Sequence, residues 1–560
     1  MLDREDAPRP APVELVRAPW LPLAILGVAA IASFVWILSL DSHLTFIADD
    51  WMLLVKRQGW GTSYFLLPFH GNIVTGPALV YKLMREVFGM GSATPYYALS
   101  VATFVASGVL LFFHLRRRVG DWLALCGAVL TLFLGAAFED LLFAFQIGYY
   151  ASVAAGLGML IALDREDDAG DRIACALLVV SLAFSSIGLA FALGALVDLV
   201  LGRRPRGRRA YVALAPIVLY ALWWLGWGHA AVNHLSAHNV ITSPEYVFKA
   251  AAAGITSLLG LASNDGSEPS QPHLIWGKLI LIAGLLLLGW KLVRERGISR
   301  GLAMALAIGL AFWLAAAFNR DVSRLPTSSR FQYPSAVFLL LVAAEMIRGL
   351  RIPRPAIVAA VVISGLAISG GISLMHREQH ERWVPYADAL RSRLAALQIA
   401  GTRADPHFQV AFPPDIEASA RAYLLAADRY GSPAFSEGQL ESRPQGEREA
   451  ADVTLAQALG LALRSPAKGE RSTACQTLQA SSAGYTGVTL LHGGFTLANR
   501  SGAGVEVKLG RFAEGFPVSF GELPAGVKTA LAVPVDSSRR PWNLGLIGIG
   551  PVRLCTTESG

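Results

Sequence analysis

The first residues with an evident chemical use are two adjacent carboxylates in Phe46-Ile47-Ala48-Asp49-Asp50-Trp51, just beyond an apolar run that ends near Leu40. A carboxylate at the depth of lipid headgroups is partly desolvated, which makes it more basic and suits it to taking a proton from a hydroxyl. Two acids side by side can also hold a divalent cation (Mg2+, Mn2+ or Ca2+) against a phosphate. A plainer use competes: Asp49 as the N-cap of a short helix from Trp51 to Gln58, with Trp51 as an interfacial anchor. Nothing in the pair itself separates Asp49 from Asp50 as the base.

Further along, His70-Gly71-Asn72 sets two polar side chains beside a glycine where a substrate can approach the backbone, although a surface role suits a lone histidine as well. Glu139-Asp140 occupy a tight connection between apolar runs. They are candidates for binding an acceptor or, with Asp49 and Asp50, a metal; an ordinary solvated turn is the alternative. Gln146, Tyr149 and Tyr150 continue into the next apolar run, as groups lining a polar cavity would. Late in the apolar region come Asn319-Arg320-Asp321-Val322-Ser323-Arg324 and Ser328-Ser329-Arg330-Phe331. Arginine grips phosphate through a planar fork and stays charged, so Arg330, Arg324 and Arg320 can hold a phosphate leaving group as the bond to it breaks. Snorkelling to headgroups is their plainer role.

His229, His234 and His238 lack metal-ligand spacing and read as loop residues. No Gly-rich phosphate loop, HExxH, GxSxG or CxxC occurs, which argues against nucleotide hydrolysis and against zinc or serine hydrolase chemistry.

The elements that must position these groups are membrane spans. The 560-residue chain is 54% hydrophobic and 16% charged, with apolar runs too long for the core of a soluble domain. About eleven spans are expected, near 20–40, 94–114, 122–138, 141–163, two short ones within 173–201, 210–228, 274–293, 301–318, 334–347 and 355–375. The 173–201 run is too long for one crossing, and Ser185-Ser186 with Gly188 mark its break. The formal net charge of +7 resides in short Arg/Lys clusters at 116–118, 203–209, 291–300 and 348–354. With a cytoplasmic N-terminal tail (1–18) all four face inward, as positive-inside bias demands, and no nucleic-acid partner is implied. The long first loop 41–93, which includes an amphipathic run from Thr75 to Phe88, then lies outside.

After the region 19–376, residues 377–400 form an amphipathic linker helix, with Trp383, Tyr386, Leu390, Leu394 and Leu397 on one stripe. It lies on the membrane or packs under a separate extracytoplasmic α+β domain, 401–560. That domain has helical patterning at 417–429 and 452–464, then short glycine-punctuated strands resembling a β-sandwich over 485–560. Cys126 and Cys175 fall in apolar spans as packing residues, whereas Cys475 and Cys555 flank the β-rich part. In an oxidising compartment they pair as a disulfide; two free buried thiols are the alternative.

The acidic pair in a long first outer loop, Glu139-Asp140 in the next, the broken spans at 173–201 and the basic late loop together resemble the GT-C class of multispanning glycosyltransferases. That class includes protein mannosyltransferases, aminoarabinose transferases and arabinofuranosyltransferases. The resemblance implies a sugar donor on polyprenyl phosphate and a hydroxyl acceptor on a cell-envelope glycan, lipid or protein, in a multi-pass protein of the cytoplasmic membrane. It implies inversion, with Asp49 or Asp50 as base, Glu139 or Asp140 on acceptor or metal, and Arg330 or Arg324 on the phosphate. It also implies a C-terminal extracytoplasmic domain, where Trp542 and Tyr485 are candidates for stacking on sugar and core packing is the plainer role. An O-antigen-type polymerase or ligase normally carries its large outer loop late in the chain. A transporter implies paired halves with charges at mid-membrane. A non-catalytic scaffold implies indifference to loss of Asp49 and Asp50.

Overall fold

The computed structural model describes residues 20–558, apart from 58, 203–204, 232–233, 264–270, 322–323, 351, 413–415, 468–470 and 483–485. The expectations for the tail 1–18 and for Tyr485 lie outside the described residues. Among the described residues, nine helices are long and apolar enough to cross a membrane, from Leu21–Asp41 to the continuous rod Arg354–Arg403. The chain is a multi-pass membrane protein.

The other two expected spans are the helices Asp168–Phe184 and Gly188–Leu201, of 17 and 14 residues. Both fall short of the roughly 20 residues of a full crossing. Ser185 breaks them apart in extended backbone (φ −162°, ψ 153°). Gly188 allows the tight return, because a Cβ there would lie 2.6 Å from the Leu182 nitrogen. Arg209 binds Asp171 at 3.0 Å and Asp198 at 2.7 Å, so the first helix starts and the second ends at the same end of the bundle. The pair goes in and returns, and the direction of every later helix is preserved.

That shared end is basic. Arg116 binds Asp121 at 3.0 Å, Arg118 bridges Asp164 and Glu345, and Arg300 bridges Glu166 and Asp198. Lys291 donates to the Glu345 carbonyl at 2.9 Å, and Arg348 lies 3.4 Å from the Glu345 carboxylate. Residues from all four basic clusters therefore gather at one end, each matched with an acid or a carbonyl.

At the opposite end the structure departs from the expectation of a plain loop between the spans 210–228 and 274–293. Helix Ala237–Leu258 lies across the ends of its neighbours. Asn239 donates to Phe318 O and Arg320 O (3.3 and 3.1 Å), and Tyr246 donates to Arg324 O at 3.2 Å. Ser257 donates to the Gln332 side chain (3.1 Å), and Thr256 donates to His273 O (2.9 Å). Both ends of the helix stay on the same side, so it adds no crossing. Helix Thr75–Phe88 runs where the amphipathic pattern put it, with Tyr81, Lys82 and Arg85 buried and Leu79, Leu83, Val87 and Phe88 exposed. Polar inward and apolar outward is the inverse of a soluble helix, as suits a helix bordering lipid.

The 377–398 stretch does not form a separate helix on the membrane. Arg354–Glu378 continues through a π-helical turn, Gln379–Trp383, into Val384–Ala400, and buried Leu390, Leu394 and Leu397 pack this rod against helix Gln445–Ala458. Beyond it stand helices Ala420–Tyr430 and Glu437–Glu441, so Ile416–Ser419 is a strand and the second helical segment begins earlier than 452. Eight strands then make two four-stranded antiparallel sheets. One has the order Lys528–Val533, Gly493–Asn499, Gly550–Glu558, Arg471–Ala480; the other runs Thr486–Leu490, Trp542–Ile547, Val505–Gly510, Val518–Leu523. Leu497, Leu531, Val552, Val507, Leu509 and Leu544 fill the core. Trp542 is fully buried under the Arg511 guanidinium, 4.6 Å from its ring, and serves as core. Cys475 and Cys555 sit directly opposite on neighbouring strands and are disulfide-bonded, closing an 80-residue separation.

Candidate functional site

The two adjacent acids have opposite surroundings. Asp50 is fully buried: it accepts the Ile47 N–H at 2.7 Å and the Tyr81 hydroxyl, and the Phe145 N–H also reaches it. Burial pushes its carboxyl up to about 7, against the pull of the Tyr81 and Ile47 hydrogen bonds, with the neighbouring Asp49 charge pushing further upward. Asp49 keeps 31% of its side chain exposed and faces His70, whose Nε2 lies 4.0 Å away. The π-helical turn Met52–Lys56 follows, starting from Trp51, whose side chain caps nothing. Trp51 is buried rather than interfacial and donates to Phe46 O at 3.0 Å.

Two non-glycine residues at this spot adopt left-handed backbone, Ala48 (φ 43°) and His70 (φ 47°). Such positions cost about 1–3 kcal/mol each and persist only where the surroundings over-determine them. Ala48 turns the chain so that successive acids face inward and outward. His70 does the same in a small bridge in which Phe69 and Asn72 exchange backbone hydrogen bonds of 3.0 and 2.8 Å. The Asn72 amide donates to His70 O at 3.3 Å.

The late arginine segment closes on this group. Arg324 donates to His70 O at 3.0 Å, tying it to the first loop. Ser329 donates to Ala136 O (2.7 Å) and accepts the Glu139 N–H (3.1 Å), while the Arg330 N–H donates to the Glu139 carboxylate at 3.2 Å. Glu139 thus works as a clasp that holds Arg330 in place. Asp140 is fully buried, with both carboxylate oxygens lacking a hydrogen-bond partner, and the charges nearest it are Glu139 and Arg330.

Tyr149 stands near where these elements meet, within electrostatic range of Asp140, Arg330, Arg324 and Asp49. Arg320, Arg330 and Arg324 likewise act together on Tyr246. Gln146 is partly exposed at the start of the same helix as Tyr149. Tyr150, one residue on, is turned about 100° away. It is buried and packs against Phe104 and Tyr333, at 5.1 Å from each ring. The four acids Asp49, Asp50, Glu139 and Asp140 do not form a shared cation cage. Among the described residues, no three His, Cys, Asp or Glu side chains gather to hold a metal.

Sequence reasoning missed Tyr81, Tyr246 and Asp41. Tyr81 lay in the amphipathic run and carried no motif; only its 31-residue reach to Asp50 reveals it. Tyr246 belongs to the cross-lying helix that read as loop. Asp41, at the end of the first span, is buried with both oxygens unpartnered.

No family model matches the chain, and no curated protein matches it. Among solved structures it is similar to ArnT from Cupriavidus metallidurans bound to undecaprenyl phosphate. The likeness has 14% identity and a TM-score of 0.43, and covers 75% of this chain and 86% of that one.

Proposed function

We propose that the chain is a membrane glycosyltransferase. It moves a sugar from a polyprenyl-phosphate donor to a hydroxyl of a cell-envelope glycan, lipid or protein at the outer face of the cytoplasmic membrane. One observation carries this reading: Arg324 donates to the backbone of His70, the residue that faces the half-buried carboxylate of Asp49, so acid and guanidinium meet at one end of a membrane bundle, with Arg330 held on Glu139 in the same segment. Asp49 takes the proton from the acceptor hydroxyl as its oxygen attacks the anomeric carbon. The bond from that carbon to the phosphate oxygen breaks, and the electron pair leaves with the phosphate, whose charge Arg324 and Arg330 neutralise. Attack opposite the leaving group inverts the anomeric centre. Asp50, shut away behind Tyr81, orients the loop. The gathering of the basic clusters at the far end supports an outer-face site and an extracytoplasmic C-terminal domain, by the positive-inside bias.

The test is transfer by the full-length protein in nanodiscs, with a polyprenyl-phosphate sugar and mixed envelope acceptors. Asp49→Asn should lower turnover by about 10²–10⁴-fold while leaving donor binding and thermal stability intact. Full transfer in that variant would remove Asp49 as the base, whereas no transfer by the wild type would favour a scaffold or transporter. Chelation decides the cation. Loss of turnover in EDTA, restored by Mg2+ or Mn2+, would show that a divalent cation serves the phosphate; unchanged turnover leaves that charge to the arginines.

A further inference from the structure

Helix Ala420–Tyr430 of the C-terminal domain makes two contacts with the first loop, 41–93. Helix Ala420–Tyr430 ends on Tyr430, whose carbonyl accepts the Met90 N–H at 2.6 Å. This approach needs Gly89, which sits at φ +68°; a Cβ there would lie 2.4 Å from the Tyr430 carbonyl oxygen, a backbone atom that cannot swing aside. The Tyr430 ring lies against the Arg85 guanidinium, 4.6 Å from its centre, and its hydroxyl donates to Glu86 at 2.9 Å. Two turns earlier on the same face, Tyr423 meets the edge of Trp51 with ring centres 6.0 Å apart, both side chains fully buried.

Both contacts lead to the acids. Arg85 lies one turn after Tyr81 on helix Thr75–Phe88, and Tyr81 donates to Asp50. Arg85 also donates to Leu54 O at 2.8 Å, just past the acidic pair. Trp51 follows Asp50 directly, and its bond back to Phe46 O closes the loop that holds both acids. Inside that loop Ala48 holds its left-handed conformation, which relaxes unless outside contacts impose it.

We propose that Tyr423 and Tyr430 are positioning residues for Asp49: the C-terminal domain clamps the acidic loop, and undocking it lets Asp49 drift from Arg324 and Arg330. The effect on turnover rests on the transferase reading; the clamp itself concerns only the order of residues 46–57.

Full-length protein in nanodiscs tests it through Gly89→Ala, Tyr430→Ala and Tyr430→Phe, followed by amide hydrogen exchange and by sugar transfer. In Gly89→Ala and Tyr430→Ala, exchange over 46–57 rises about tenfold while the C-terminal strands stay protected, and kcat falls about tenfold with donor KM nearly unchanged. Tyr430→Phe keeps the ring against Arg85 and stays near wild type. Should Gly89→Ala not fold, Tyr430→Ala carries the same measurement. Unchanged exchange over 46–57, or a rise spread evenly over the whole chain, overturns the clamp. Raised exchange confined to 46–57, in a protein whose wild type transfers no sugar, supports the clamp and removes the transferase reading instead.

Discussion

Tyr81 donates its hydroxyl proton to the buried carboxylate of Asp50, and this bond leaves Asp49 as the member of the pair that faces His70. Neighbours in the chain thereby take different jobs. Asp50 is shut inside, and Asp49 keeps 31% of its side chain exposed.

Substituting the pair one residue at a time should separate those jobs. Asp49→Asn lowers turnover by about 10²–10⁴-fold, the usual contribution of a general base, with the melting temperature unchanged. Asp50→Asn lowers the melting temperature as well, because the amide cannot accept the Tyr81, Ile47 and Phe145 donors as the carboxylate does. Kinetics and thermal unfolding on the same samples check both.

The raised Asp50 carboxyl predicts a pH signature in stability. In the unfolded chain this acid loses its proton near pH 4. In the folded protein it holds the proton up to about 7. Between those values the native state binds more protons than the unfolded state, so stability falls as pH rises from about 4 to about 7. Asp50→Asn should flatten this slope. Tyr81→Phe removes a hydrogen bond that lowers the Asp50 value, so it should push the upper edge of the window higher. Melting temperature against pH for the three proteins is the measurement.

Arg324 and Arg330 should govern donor binding. Arg324→Gln removes a charge and the link to His70 O, and raises the donor KM by about tenfold or more, one charge-assisted contact's worth. Arg330→Lys keeps the charge but loses the planar fork, so it should fall between wild type and Arg330→Gln. Glu139→Gln leaves both arginines present yet weakens the clasp on the Arg330 backbone, and should lower kcat more than it raises KM.

The Cys475–Cys555 bond should stabilise the C-terminal sheets by about 4 kcal/mol through the loop it closes. Reduction, or Cys475→Ser with Cys555→Ser, should lower the unfolding temperature of those sheets and leave the helical signal of the membrane region in place. Circular dichroism with and without reductant reads both.

Much of the architecture was legible because it is encoded locally. Span positions follow from runs of apolar residues, the break at Ser185-Ser186 from the length of one run, and the shared end of the basic clusters from the order in which they alternate with spans. The strand-rich C-terminal part was readable for the same reason, and its two cysteines were the ones outside the spans. The helix Ala237–Leu258 was not, because it is not apolar enough for a span, and only its hydrogen bonds to Phe318, Arg320 and Arg324 reveal that it lies across the bundle.

What the chain determines by itself, then, is which residues can do chemistry and which end of the bundle they occupy, since hydropathy and charge act over a few neighbouring positions. Which acid is open and which is buried was decided by the tertiary structure alone. Asp49 and Asp50 are chemically identical neighbours, and they differ only through Tyr81, Phe145, His70 and Arg324, partners that local pattern cannot supply.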